Sequence, residues 1–575
     1  MKILSINDFK QGDCMKKLSL LSALSIFISI ATPALADDCD SVAYCSTHSK
    51  NLWQPRPFLS YGSREIVMLK DLYDHPFKHD EWDGTLSLAF EYMQNFNESC
   101  PAENLGAMPF WSGTNSMTLG ANDGKSDVDL YQFGMGNATK QGSITLNPKI
   151  QHVGGDLLLH FAQYKHDRGL YFKLRTALGA MMVQSRLCEE SAVLDGAVDD
   201  VWQLYPAPAN RYQSLSEAFA GGSVTPDAII SSKLHRPLAL DKGKISCCKL
   251  TSIKLGDISP TIGYNIFAGT DYYFGVGIKA IFPTGTVPQG EFIFEPVFGN
   301  GGHWGIGLEM IGHSKYTFAR NQDMSLNLWV NSSLIHLTNG RKPSWRSFDL
   351  KQNGLGSKYM LVQFYLPTNP SAANNLGRTP SYITQAVNIT TLPVLSSFSL
   401  EGALSSMVEF SMKKWNVALS FDLWGRTKEL LKIDTCNMVN HASANLNDFA
   451  VLGRQVSEDD NTNDPSTEPL YYCEPLAQIG KSQDRVLFGQ TVPTGIKDAR
   501  LAINRIPSNL EDALDIEGAM EKRSISGKIM MSAGYSWLER HYSPCINIFT
   551  GFEVSKYDAL KLNMWSVGIQ GALNF

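Results

Sequence analysis

Trp565-Ser566-Val567-Gly568-Ile569-Gln570-Gly571-Ala572-Leu573-Asn574-Phe575 is the stretch that decides the fold. Trp565, Val567, Ile569, Leu573 and Phe575 fall on one face, and Ser566, Gly568, Gln570, Ala572 and Asn574 on the other. Successive side chains of a strand point to opposite sides, so this is a strand with one apolar face and one small or polar face. Aromatic residues stand at both ends of the apolar row, separated by about ten residues, close to one membrane crossing by a tilted strand.

The same alternation recurs upstream. Leu86, Leu88, Phe90 and Tyr92 alternate with Ser87, Ala89 and Glu91, and Val417, Leu419, Phe421 and Leu423 with Ala418, Ser420 and Asp422. Lys, Arg, Asp and Glu keep to the minor face. On a lipid-facing surface a Lys or Arg costs roughly 2–4 kcal/mol at mid-membrane, whereas a wet lumen accepts it. Strands are expected near 85–96, 127–136, 143–151, 155–164, 169–186, 258–268, 271–282, 291–299, 303–312, 324–335, 357–366, 397–413, 416–427, 523–538, 545–556 and 560–575. That is about 16 strands, an even number, with 14 as the alternative.

Apolar rows closed by aromatics resemble the girdled strands of Gram-negative outer-membrane barrels, porins and related transport barrels. The resemblance implies an all-β fold: an antiparallel transmembrane β-barrel. It also implies that the closing strand, with Trp565 and Phe575, serves as the insertion signal read by the barrel-assembly machinery. Outer-membrane lipid and small solutes are the other implied partners, and a homo-oligomer is compatible with the pattern. With both barrel ends in the periplasm, the turns at His166-Asp167-Arg168, Gly269-Thr270 and Asn300-Gly301-Gly302 are expected on one side. The long connections 187–257 and 428–522 are expected on the other, outer side, with some helix in the second.

The N-terminus reads as an address. Lys16 and Lys17 precede an apolar run from Leu18 to Ile30, and Ala34-Leu35-Ala36 follows as a small-residue cleavage site, the order of a secretory signal. Residues 1–36 are therefore expected to be a leader, with Met15 as the start of translation, and the protein to reach the cell outer membrane after its removal. Residues 37–84 lack barrel patterning. The run Gln54-Pro55-Arg56-Pro57-Phe58 excludes regular structure there, so this stretch is expected as a periplasmic segment or a lumen plug, and 85–575 as the barrel.

Composition narrows the function. A net charge of −6 with a charged fraction of 18% carries no basic footprint for nucleic acid. Ten cysteines are present; with Cys14 in the leader, an odd number remains. Export permits disulfides, and Cys39–Cys45 and Cys436–Cys473 are the plausible local pairs. No Cys/His spacing suits a metal site, and no cofactor motif is present.

Two constellations bear on function. The inward-facing charges are expected to line a pore: Glu91, Lys173, Arg175, Lys279, Glu309, Glu401, Glu409, Asp422, Arg426, Lys528 and Glu553, with His160 among them. Separately, His336-Leu337-Thr338-Asn339-Gly340 resembles the His-x-Ser-Asn-Gly signature of outer-membrane phospholipases, with Thr338 where that family has Ser. The resemblance implies His336 as base and Thr338 as nucleophile, both on one face of a strand. The run Pro283-Thr284-Gly285 after Phe282 bears a faint resemblance to outer-membrane transporters of hydrophobic compounds. A channel or transport barrel is the leading expectation. A lipid hydrolase, and a receptor or adhesin acting through long loops, are the alternatives.

Overall fold

The computed structural model describes residues 56–70, 82–96, 116–120, 128–129, 142–165, 167–190, 215–222, 239–269, 271–318, 321–340, 342–351, 353–367, 378–437, 449–453, 472–473, 514–537, 543–557 and 560–575. Twelve strands form a closed antiparallel ring: β1 (Trp82–Asn95), β2 (Lys149–Lys165), β3 (Arg168–Gln184), β4 (Leu250–Ala268), β5 (Tyr272–Ile281), β6 (Trp304–Phe318), β7 (Asn321–Thr338), β8 (Thr391–Met412), β9 (Trp415–Arg426), β10 (Ser524–Ser536), β11 (Cys545–Tyr557) and β12 (Leu560–Asn574). Each pairs with its sequence neighbours, and β1 closes on β12 with Leu86 opposite Leu573 and Phe90 opposite Ile569. Closure leaves no strand edge to satisfy, which is what a spanning sheet requires in a solvent without hydrogen-bond partners.

Alternation sorts the side chains as the closing strand foretold. Val567, Ile569, Leu573 and Phe575 point outward and are exposed, while Ser566, Gln570, Ala572 and Asn574 are buried inside. The outer face is apolar around the ring: Phe90, Leu170, Ile262, Ile278, Leu308, Leu419, Ile529 and Ile548 are all exposed there. Aromatic pairs mark two levels. Tyr92–Trp565, Phe96–Phe552 and Phe282–Trp304 lie towards one end, and Phe161–Phe575, Tyr316–Phe318 and Trp415–Tyr535–Trp537 towards the other. The roughly ten residues from Trp565 to Phe575 span about 25 Å along a tilted barrel, the height of an outer-membrane apolar band.

The ends differ. At the end that carries Trp82 and Asn574, connections are short, as between Lys165 and Arg168 or Met412 and Trp415. At the other end lie 96–148, 185–249, 282–303, 339–390 and 427–523. The Asn300-Gly301-Gly302 turn belongs to this second end, because it lies in the connection from the end of β5 to the start of β6, opposite the Lys165–Arg168 turn. The described residues of these connections form a cap with its own apolar core, including Phe219, Ile245, Phe294, Phe348, Tyr359 and Val387.

That core explains the strand count, which is 12 in the ring with two further strands, Ser344–Ser347 and Glu429–Ile433, paired to the start of β8 outside it. The expectation of about 16 counted apolar alternation in the connections as wall. Of 127–136, only Val128–Asp129 is a described strand, in a small sheet with Ser116–Gly120 and Gly142–Leu146. The segment 357–366 contributes Leu361–Pro367 to a second small sheet, and 291–299 is an irregular segment packed in the barrel mouth. Half-buried strands look alike whether a cap or a membrane covers them.

Candidate functional site: the lumen and the segment inside it

Residues 56–70 lie inside the ring. Pro57 leads into a single turn, Phe58–Ser60, and then helix α1 (Gly62–Leu69), all eight residues of which are buried. Its last turn, Ile66 to Leu69, packs on an apolar floor that includes Leu158, Tyr171, Tyr273, Trp329, Met407 and Met530. Gly62 sits against β8: a Cβ there would lie 3.1 Å from the Cβ of Ser405.

Above that floor the segment is tied to the wall by buried ion pairs. Arg64 reaches Glu91 and, at 2.9 Å, Asp156, and its guanidinium lies 3.9 Å from the Phe58 ring centroid. Glu65 accepts from Lys173 and, at 2.7 Å, from Arg175. Arg56 meets Asp422 at 2.7 Å and Glu553 at 3.8 Å. Asp422 Oδ2 also accepts from the Ser63 backbone N–H and hydroxyl, both at 3.1 Å, placing a carboxylate at the start of α1, where the helix dipole favours it. Lys70 donates to Glu409 at 2.6 Å, and Tyr61 to Glu553 at 2.6 Å. Second partners stand in the wall itself: Lys528 for Glu91, Arg175 for Asp156, and Lys279 for Glu309, which also accepts from Lys173.

Each charge expected to line a pore faces inward and is buried. Glu91, Lys173, Arg175, Glu409, Asp422 and Glu553 touch residues 56–70 directly, and the Lys528 ammonium lies 4.5 Å from the Tyr61 ring centroid; Lys279 and Glu309 act one contact away; Arg426 pairs instead with Glu521 of the cap at 2.7 Å. Glu401 has no ion pair among the described residues. His160 is buried and stacks on Tyr171. Sequence reasoning missed Asp156 and Asp257, and it missed the partners Arg56, Arg64, Glu65 and Lys70. Strand alternation could have found Asp156; nothing in local pattern reveals which charges of a non-barrel segment will meet the wall.

The mouth is narrowed from the cap side. Phe298 enters from the connection 282–303 and meets Phe58 at 5.5 Å between centroids, and the Asn300 N–H donates to Asp257 at 2.7 Å. Below it a cavity of about 40 Å³ is lined by residues of the segment, of this connection and of the wall, among them Asp257 and Glu401.

His336 and Thr338 lie on the outer face of β7, both exposed, and the His336 Nδ1 lies 2.9 Å from the Ser399 carbonyl oxygen. That nitrogen therefore faces a main-chain carbonyl, not an orienting carboxylate. Trp565 packs on Tyr92, and Phe575 completes the ladder to Gly84 by exchanging backbone hydrogen bonds of 2.7 and 3.0 Å. Cys436 is a free, exposed thiol. Cys39 and Cys45, the leader, and the side chain of Cys473 lie outside the described residues.

An even, closed ring, apolar outside and charged inside, with short turns at one end, is the architecture of an outer-membrane β-barrel. No protein-family model matches the chain, and no curated protein does. Among solved structures it is similar to an outer membrane channel from Pseudomonas putida F1, at 7% identity and a TM-score of 0.32, covering 87% of this chain and 99% of that one. It is also similar to a FadL homologue of Pseudomonas aeruginosa, at 8% identity and a TM-score of 0.25 over 86% and 90% of the two chains. The TodX monoaromatic hydrocarbon channel, as a deltaS2 mutant, aligns at 7% identity and a TM-score of 0.28 over 92% and 95%. At such scores the functional reading rests on this barrel's own geometry.

Proposed function

We propose that the protein is an outer-membrane channel for small solutes, inserted by the barrel-assembly machinery after export, in which residues 56–70 occlude the lumen at rest and passage requires them to move. The observation that carries this reading is the buried ion-pair belt between that segment and the wall. A permanent core needs no such belt, since a buried ion pair is often no more stable than apolar packing of the same volume. A charged seam instead fixes one seated position while keeping the wall wettable once the segment leaves. On this reading the cap faces outward, and the Phe298–Phe58 contact supports a second constriction beneath it.

The test is single-channel recording in planar bilayers. Arg64→Met removes the node that holds Glu91, Asp156 and Phe58 together. Breaking one partner of a buried pair costs about 3–5 kcal/mol; here the seated state loses roughly the lower figure, because both carboxylates keep a second cation. The wild type is expected to open rarely and the variant at least ~100-fold more often. Equal, near-zero conductance from both proteins, each shown to be folded, would sink the proposal.

A further inference from the structure

We infer that the lumen cavity beneath the Phe298 constriction is a binding site for one divalent hard cation, held by Asp257 of β4 and Glu401 of β8. Every other carboxylate that faces the lumen from the ring or from α1 has an ion-pair partner; these two have none among the described residues. Both are buried, at 3% and 5% exposure, they line the same cavity, and they lie near enough to repel each other. Asp257 Oδ2 accepts from the Asn300 N–H, and the Gly285 N–H and the Trp424 indole lie against Asp257 and Glu401, yet Asp257 Oδ1 and Glu401 Oε2 complete no well-formed hydrogen bond among the described residues. A third lining atom, the Ser405 hydroxyl oxygen, also has no hydrogen-bond partner among the described residues although its residue is only 1% exposed. Arg426 is the cross-strand neighbour of Glu401, yet its ion pair is with Glu521.

Buried polar atoms left unpaired cost free energy, and unpaired carboxylates cost most. Water could bridge the hydroxyl, but it would leave both carboxylates without a counter-charge of their own, because Lys279, the one cation lining the cavity among the described residues, is held by Glu309. One divalent ion cancels both. The remaining lining atoms suit a hard ion: Ser259, Asn331 and Ser332 add hydroxyl and amide oxygens, and no sulfur or imidazole is present. Such an irregular all-oxygen set fits Ca²⁺ better than Mg²⁺, which demands near-octahedral geometry. A cavity of about 40 Å³ holds an ion with a water or two and no larger solute. The site joins the wall to the connection 282–303 through Asp257 and sits against Gly62 of the occluding segment through Ser405, so the ion would stabilise the seated, closed arrangement.

The experiment is calorimetric titration of CaCl2 into the folded, detergent-solubilised full chain after chelation, with methylammonium chloride as a parallel arm. One Ca²⁺ per chain is expected, with Asp257→Asn and Glu401→Gln each weakening binding at least ~10-fold. Should either variant fail to fold, the wild-type titration still decides. Absence of Ca²⁺ binding at millimolar concentration overturns the inference and leaves the pair neutralised by protons. Binding of methylammonium without Ca²⁺ overturns the metal assignment, and Ca²⁺ binding that survives the double substitution overturns the residue assignment. The readout needs no conductance, so a silent channel that binds Ca²⁺ refutes the transport reading and not this one.

Discussion

Gly62 and Ser405 offer a direct test of whether the segment must leave its seat. A Cβ at position 62 would lie 3.1 Å from the Ser405 Cβ. A disulfide places its two Cβ atoms ~3.5–4.5 Å apart, so a Gly62→Cys, Ser405→Cys pair needs the helix and β8 to separate by roughly half an ångström. Gly62 has no left-handed φ to lose, and α1 tolerates a side chain there apart from this contact. The bond should therefore form on oxidation with modest strain, and peptide mapping should find it ahead of any bond to the native buried Cys545. Chain-entropy stabilisation from so long a loop is at most about 5 kcal/mol, but the kinetic consequence is absolute: a covalently seated segment cannot vacate the lumen. Oxidised double-cysteine protein should show no openings in planar bilayers and no solute entry into liposomes. Reductant should restore the activity of the reduced protein, and the single variants should be insensitive to redox state. If the disulfide forms in full and solute flux is unchanged, passage does not require the segment to move and the gating argument fails. If no disulfide forms in folded protein, the segment does not sit where the ion pairs place it.

Two further outcomes follow from the charges. With the segment withdrawn, the wall carries Glu91, Asp156, Asp257, Glu309, Glu401, Glu409, Asp422 and Glu553 against Lys173, Arg175, Lys279, Arg426 and Lys528, an excess of three acids. Open Arg64→Met channels should therefore prefer cations, read as the sign of the reversal potential across a KCl gradient; an anion-selective reversal would contradict the assigned wall. In the cap, burial pushes the Lys358 ammonium down to about 8, with Asp349 opposing. The folded pKa lies below the unfolded one, so the unfolded chain binds more protons between about pH 8 and 10.5, and stability rises with pH through that window by roughly 3 kcal/mol. Urea unfolding of wild type and Lys358→Met at pH 7.5 and pH 10 should show the extra gain in the wild type alone, and identical pH slopes would exclude it.

How far the sequence went can be judged at particular residues. The closing strand announced its two faces without error, because alternation over β12 has only one arrangement that keeps Gln570 and Asn574 out of lipid. The inward charges were legible for the same reason. The strand number was not. Ile144 and Leu146, or Val362, alternate as wall strands do, but they are buried by other connections instead of by membrane, and alternation is blind to what does the covering. The occupied lumen was half legible. The Pro-rich start of the segment marked it as different, but Arg64 finds Asp156 across 92 residues and Lys70 finds Glu409 across 339. The Asp257 and Glu401 pair was invisible for the same cause. Ligand spacing is a local signal, and this pair is assembled only by the curvature of the ring.

The distribution of second partners says how the segment can leave. The acids on the β1 to β6 side keep cations of the wall: Glu91 keeps Lys528, which β10 lends it, Asp156 keeps Arg175, and Glu309 keeps Lys173 and Lys279. Removing Arg64 and Glu65 from that side strands few charges. On the β8 to β11 side Glu409, Asp422 and Glu553 depend on Lys70 and Arg56. Lys528, the cross-strand neighbour of both Asp422 and Glu553, is already committed to Glu91. Leaving three buried carboxylates without cations is far costlier than leaving a pair that can close on itself. Withdrawal should therefore begin at Arg64, with Arg56 and Lys70 as the last ties, so that the segment comes away from β1, β2 and β3 first and the path opens only once it has left the β8 to β11 wall as well. The cation proposed between β4 and β8 sits on the margin of that path, beside the Gly62 contact. Its departure would loosen the mouth connection and the start of α1 together, which ties the outer constriction and the inner occlusion to one set of charges.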